Sequence, residues 1–251
     1  MILWFSGSGN SLYVARQLAQ RTNDSLLHFN DATSADLSCE KVIGLVYPTY
    51  SYDTPLRIKE LLMNIRFPKD AYVWIVTTCG STPGNSIWTA RKMLQMQGVE
   101  VAYSRILSMP DSSAITFGND AHAQQSKLET LPAQLDEMAR NICARTHRLE
   151  HSGRTITGTV VNSKLFFPIA TAAVKQQVNT DKCIGCGICT KVCPNSNISL
   201  VDKKAHIGSH CTQCLACVHF CPHQAMEIRH KTTKKENQYH HPEVKLKDMI
   251  R

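Results

Sequence analysis

"FSGSGNSLYVARQL", residues 5–18, packs two glycines, three serines and an asparagine into residues 6–11, between an apolar run at 2–5 and an amphipathic pattern. A turn leading from a strand into a helix leaves free backbone N–H groups at the positive end of the helix dipole, and hydroxyls add further donors. That combination suits a phosphate. A nucleoside triphosphatase loop needs Gly-Lys-Ser/Thr, and no lysine stands here. A Rossmann dinucleotide turn needs three spaced glycines, and this turn has two. The expected ligand is therefore a monophosphate recognised by amides and hydroxyls. The competing reading is a simple helix cap.

Outward from this turn, residues 1–150 alternate strand and helix signals. Apolar runs rich in β-formers lie at 2–5, 26–29, 42–47, 72–77 and 99–107, with helical patterns at 11–22, 55–65, 85–97 and 124–149. Nearly uniform apolar strands alternating with helices predict a five-stranded parallel sheet covered on both faces, a doubly wound α/β domain. Residues 151–177 break the alternation and read as a connector with an apolar patch around Phe166, Phe167 and Ile169. Residues 178–230 carry eight of the eleven cysteines, and 231–251 form a polar, basic tail in which "VKLKDMI" is the one segment expected to dock.

The chain has 251 residues, is 43% hydrophobic and carries a formal charge of +8. No run of about 18 apolar residues occurs, so no membrane span is expected. The N-terminus reads as a first strand, without the basic region and cleavage site of a signal peptide, which points to the cytoplasm. No basic tract interleaved with aromatics is present to grip nucleic acid.

The cysteines fall in two runs, "CIGCGICTKVCP" from Cys183 and "CTQCLACVHFCP" from Cys211. Both follow C-x2-C-x2-C-x3-C-P, the spacing that ligates [4Fe–4S] clusters. Three thiolates, each three residues from the next, wrap one corner of a cubane, and the fourth leads out along a helix to the other cluster. One cluster is expected on Cys183, Cys186, Cys189 and Cys221, the other on Cys211, Cys214, Cys217 and Cys193. C-x2-C pairs also bind zinc, and clustered cysteines also form disulfides. Two complete copies, each ending in Cys-Pro, favour clusters. Residues 178–230 resemble the two-cluster bacterial ferredoxin domain, a small α+β unit.

The turn at 6–11 resembles the phosphate loop of flavodoxins, which holds the 5′-phosphate of FMN. The resemblance implies side-chain donors at Ser6, Ser8, Asn10 and Ser11, with Gly7 and Gly9 allowing close backbone approach. It extends to "YPTYSYDTP" after the third strand, where Pro48 and Thr49 shape a turn and Tyr50 or Tyr52 stacks on the isoalloxazine. It extends also to "TTCGSTPGNS" after the fourth, where Thr78, Cys79, Gly80 and Ser81 run along the flavin edge and a mobile Gly80 answers N5 protonation. Cys79 reads more simply as a small buried hydrophobe.

The whole chain thus resembles a flavodoxin–ferredoxin fusion, a family found mainly in anaerobes. The resemblance implies an electron-transfer protein relaying electrons between two [4Fe–4S] clusters and FMN, and on to a donor or acceptor protein. Two other readings stand beside it: an FMN-dependent oxidoreductase for a small organic substrate, with residues 110–122 over the flavin, and a redox-sensing interaction module. Familiar ferredoxins and flavodoxins are acidic, whereas here the cofactors' negative charge lowers +8 only to about +2. That residue of positive charge suits an acidic ferredoxin or a ferredoxin-linked reductase as partner.

Overall fold

A computed structural model of the chain describes residues 1–113, 115, 122–150, 153–229 and 231–250. The N-terminal unit runs β1 (Ile2–Trp4), α1 (Asn10–Thr22), β2 (Leu26–His28), β3 (Val42–Pro48), α2 (Leu56–Asn64), β4 (Tyr72–Cys79), α3 (Ser86–Met96), β5 (Val101–Ser108), α4 (Leu131–Cys143) and β6 (Arg148–Leu149). The strands form one parallel sheet in the order β2-β1-β3-β4-β5-β6. This is the flavodoxin-like doubly wound order, whose switch point lies between β1 and β3.

All eight residues of β4, the strand nearest the centre of the core, are buried. Side-chain alternation sends Val73 and Ile75 to the face covered by α2 and α3, with Ile58, Leu62, Ile87 and Leu94. It sends Trp74 and Val76 to the face covered by α1 and α4, with Val14, Leu18, Leu135 and Met138. Gly44 of β3 stands opposite Trp74 in the register, and a side chain there would run into the indole ring. The glycine is what lets a fully buried tryptophan lie across its neighbour strand.

The sheet has six strands instead of the expected five. The helix expected over 124–149 is three pieces: a 3-10 segment at His122–Leu128, α4 with Pro132 in its first turn, and β6. Arg145, at φ 51°, ends the helical run and turns the chain back. Arg148 and Leu149 then pair with Tyr103 and Ser104. Arg105 holds this edge by ion pairs to Glu137 and Glu150, both at 3.2 Å.

Two short helices follow, α5 (Ile156–Val161) and α6 (Phe167–Ala173). The C-terminal unit begins at β7 (Gln176–Val178), two residues before the expected 178, since β7 pairs antiparallel with β10 (Met226–Ile228). Between them lie α7 (Ile188–Val192), the hairpin β8 (Ile198–Val201)–β9 (Lys204–Ile207), and α8 (Ala216–His219). Asp202 and Lys203, both left-handed, make the two-residue hairpin turn.

Residues 231–250 are not a loose tail. Tyr239, Val244 and Met249 are buried, and α9 (Leu246–Met249) closes the segment. Val244 and Met249 join Leu12 of α1 with Val192, Ala216 and Phe220 in one apolar cluster. The segment is a strap that ties the two units together.

Candidate functional site

Each cysteine run folds as a loop entering a short helix, and the two loops face each other. Cys183, Cys186, Cys189 and Cys221 line one small cavity. Cys193, Cys211, Cys214 and Cys217 line a second. The fourth cysteine of each run thus stands with the first three of the other. Cys193 caps α7, and Cys221 follows Phe220, the cap of α8, so the helices carry the crossing. Among the described residues, no three or more His, Cys, Asp or Glu side chains are spaced for a single metal ion. The sulfurs instead ring a cavity, a layout that suits a polynuclear cluster better than one tetrahedral zinc.

The chemistry of these sulfurs fits that use. Burial pushes the Cys189 thiol up to about 11, and Cys186, Cys221 and Cys183 add to the rise. Burial pushes Cys217 well above the ordinary thiol range, with Cys214, Cys211, Cys193 and Cys189 adding to it. Left alone these buried thiols stay protonated, and a cationic metal core is what would hold them as thiolates. Backbone amides aim at the sulfurs as well: Ala205 N–H donates to Cys183 at 3.4 Å, Ala225 to Cys221 at 3.3 Å, Asn197 to Cys193 at 3.3 Å and Gln213 to Cys211 at 3.4 Å. Cys186 and Cys211 are the exposed corner of each set.

The Gly-Ser loop lies at the C-terminal ends of the strands. Gly9 takes φ +92° and starts α1 with no side chain capping the helix. Its N–H donates to Ser6 Oγ at 3.0 Å, which curls the loop on itself. Ser11 Oγ and Thr78 Oγ1, 2.8 Å apart, tie α1 to the end of β4. Thr49 N–H donates to the Thr78 carbonyl at 2.8 Å, while Thr49 Oγ1 is buried with no partner. Uncapped amides, small hydroxyls and an orphaned threonine oxygen, with no cation among them, fit a phosphate with a polar heterocycle beside it.

Several expected site residues do something more specific than the sequence suggested. Asn10 is a strut: its amide nitrogen donates to the Pro110 carbonyl at 2.9 Å, and its oxygen accepts from the Tyr239 hydroxyl at 2.9 Å. His241 N–H donates to the Ser8 carbonyl at 2.9 Å. Tyr50 turns inward, its phenol raised well above its usual range by burial and by Cys214, with Gly7 N–H opposing. Tyr52 is 39% exposed. Gly80, expected to be mobile, has its carbonyl held by Lys127 Nζ at 2.5 Å and Ser108 Oγ at 3.3 Å. Burial pushes the Cys79 thiol up to about 11, which keeps it a neutral buried group. Pro48 closes β3, and Ser81 is exposed beyond β4. In the loop at 110–122, residues 114 and 116–121 and the His122 side chain lie outside the described residues.

The two sites meet. A side chain at Gly7 would collide with the Cys214 carbonyl oxygen and the Tyr50 hydroxyl. Asn30 of the first unit donates to the carbonyl of Pro194, the residue after Cys193, at 2.6 Å. Sequence reasoning missed these struts (Asn30, Tyr239, His241) because each acts through a partner more than 160 positions away; "YHHP" before the docking segment was the only local signal.

The strand order and the paired four-cysteine cavities define a class: a flavodoxin-like domain fused to a ferredoxin-type iron–sulfur domain. Residues 175–222 match the family described as 4Fe-4S dicluster domain. A component of the ion-translocating oxidoreductase complex of Methanosarcina acetivorans is 46% identical over 48 residues, 19% of this chain and 18% of that protein. The chain therefore matches less than a fifth of that relative's length. Two-electron reduced Megasphaera elsdenii flavodoxin is 16% identical with a TM-score of 0.40, covering 55% of this chain and 96% of that one. A flavodoxin from the domain Archaea is 15% identical with a TM-score of 0.39, covering 56% and 96%.

Proposed function

We propose that the protein is an electron relay with two [4Fe–4S] clusters, one on Cys183, Cys186, Cys189 and Cys221 and the other on Cys211, Cys214, Cys217 and Cys193, and FMN at the Gly-Ser loop. When bound, the clusters carry single electrons and the flavin takes one or two, so the fusion links one-electron and two-electron chemistry. The chain's own part is to fix the order. Cys183, Cys189, Cys217 and Cys221 belong to one buried cluster, so the two cysteine sets stand side by side. Cys214 packs against Gly7 and Tyr50, which makes its set the inner one, next to the loop. With the Cys211 set at the loop, the Cys183 set is the outer one, and its exposed Cys186 corner would face a donor or acceptor protein.

The contact of Cys214 with Gly7 is the observation that carries this reading. Ser6 and Gly9 hold the loop closed, Ser11 and Thr78 hold its base, and Tyr50 keeps water from the junction. The experiment is anaerobic stopped-flow reduction of the reconstituted protein, following cluster and flavin absorbance together. Coupled rates independent of protein concentration support the relay. Independent rates that change on dilution refute it, and two iron–sulfur clusters or FMN missing from the purified protein refute the cofactor assignment.

A further inference from the structure

The connector is built inside out. On α5 the residues facing the protein are Gly158, Thr159 and Asn162. Gly158 lies against Asn85 with no room for a side chain, Asn85 Nδ2 donates to Thr159 Oγ1 at 3.4 Å, and Asn162 Nδ2 donates to the Ser51 carbonyl at 2.8 Å. The apolar residues point away, with Ile156 85% and Val160 44% exposed. Around α6, Phe167 faces inward toward Tyr50 and the Thr171 carbonyl accepts from Gln213 Nε2 at 3.0 Å, while Leu165, Phe166 and Ile169 are 71%, 48% and 63% exposed. An ordinary surface helix puts its polar face to water, and α5 does the reverse.

Charge decides what covers the patch. From 151 to 180 the chain has three basic residues, Arg154, Lys164 and Lys175, and no acidic one. All three are exposed, and none makes an ion pair among the described residues. Ile156 and Val160 stand on α5, Ile169 on α6, and Leu165 and Phe166 in the turn that leads into α6. Apolar side chains with exposed cations among them match the acyl boundary and headgroups of an anionic bilayer. We infer that α5 and α6 form a peripheral docking element for an anionic membrane surface, set beside the Tyr50 loop and the Cys211 cysteine set. No helix among the described residues is long and apolar enough to cross a membrane, so the contact is superficial.

The test is flotation of the full-length, cofactor-loaded protein with vesicles of phosphatidylcholine alone or with about one-third phosphatidylglycerol. Binding is expected to the anionic vesicles, falling at least tenfold in half a molar salt or in the double variant Leu165→Asp/Ile169→Asp. Those side chains point outward, so the variant's cluster absorbance and melting should match the parent; Lys164→Glu gives a second, milder variant that keeps the apolar patch and is expected to lower binding several-fold. Absence of binding to anionic vesicles overturns the inference, as does binding indifferent to both variants. A dimer in light scattering that the double variant dissolves overturns it too, by assigning the patch to a second copy, and so does capture of an acidic protein with no vesicle binding.

Discussion

A methyl group on Gly7 has nowhere to go, because the Cys214 carbonyl and the Tyr50 hydroxyl already occupy its place. Gly7→Ala must push the cysteine loop off the Gly-Ser loop or open the latter, and either movement harms the junction while bearing directly on only one of the eight clustered cysteines, Cys214. The expected outcome is iron and sulfide content near the parent's, flavin affinity lower by about tenfold, and a slower cluster-to-flavin phase; equilibrium dialysis and stopped-flow spectra measure the two. Cys79 sets a contrast at the same scale. Its thiol, raised to about 11, is not a thiolate at neutral pH. Cys79→Ala should therefore leave iron, flavin and electron transfer within about twofold of the parent, and a loss of turnover beyond that would give the thiol a redox role. Residue types and spacings made much of this site legible, since thiolates three apart and amides at a strand–helix turn are local geometry. Asn10 was legible as a polar residue of the loop but not as a strut, because Pro110 and Tyr239 reach it only in the folded chain.

At the scale of elements, periodicity marks long segments and misses short ones. β3, β4 and β5 run seven or eight residues and stand out as apolar runs. β6 has two residues, neither buried, so nothing in its pattern announces a strand. Gly44 hides a different fact, since only the register with Trp74 explains it. Gly44→Ala should destabilise the fold by roughly 1–3 kcal/mol through overpacking, read from urea unfolding, with no change in cofactor spectra. The strap carries an acid response. His241 stacks on Tyr13 at 3.9 Å, and its Nδ1 accepts from Glu243 N–H at 3.2 Å, so the ring docks neutral. Burial, with His240 beside it, lowers its pKa from 6.5 to about 4. A released strap therefore takes up the proton first. Docking is complete above pH 6.5, weakens as the pH falls toward 4 and changes little below that. The ionisable neighbours facing the ring are His240, Glu243 and Tyr13. Hydrogen exchange of residues 239–249 across that window should quicken in the parent and stay flatter in His241→Phe. Equal slopes in the two proteins would remove His241 as the cause.

For the whole molecule, the balance of charge decides how it meets a redox partner. The two clusters and flavin phosphate proposed above would lower the formal +8 only to about +2. The outer cysteine set supplies the place for that charge to act. Cys186 is exposed beside Ile184, itself 62% exposed, and the Lys203 backbone packs against Gly185 of the same loop. Lys191 and Lys203 are both exposed around this corner. An acidic electron carrier would be steered there over roughly a Debye length, about 10 Å at 0.1 M salt. Raising salt from about 10 mM to 0.5 M should slow bimolecular reduction by an acidic ferredoxin at least tenfold. Lys203→Glu should slow it several-fold at low salt and leave the internal cluster-to-flavin rate untouched, because it alters encounter and not the Cys214–Gly7 junction. A flat salt response would move the docking surface away from Cys186. A change in the internal rate would mean that Lys203 shapes the cluster loop itself, and comparison with Lys191→Glu, which lies off the Gly185 contact, separates the two.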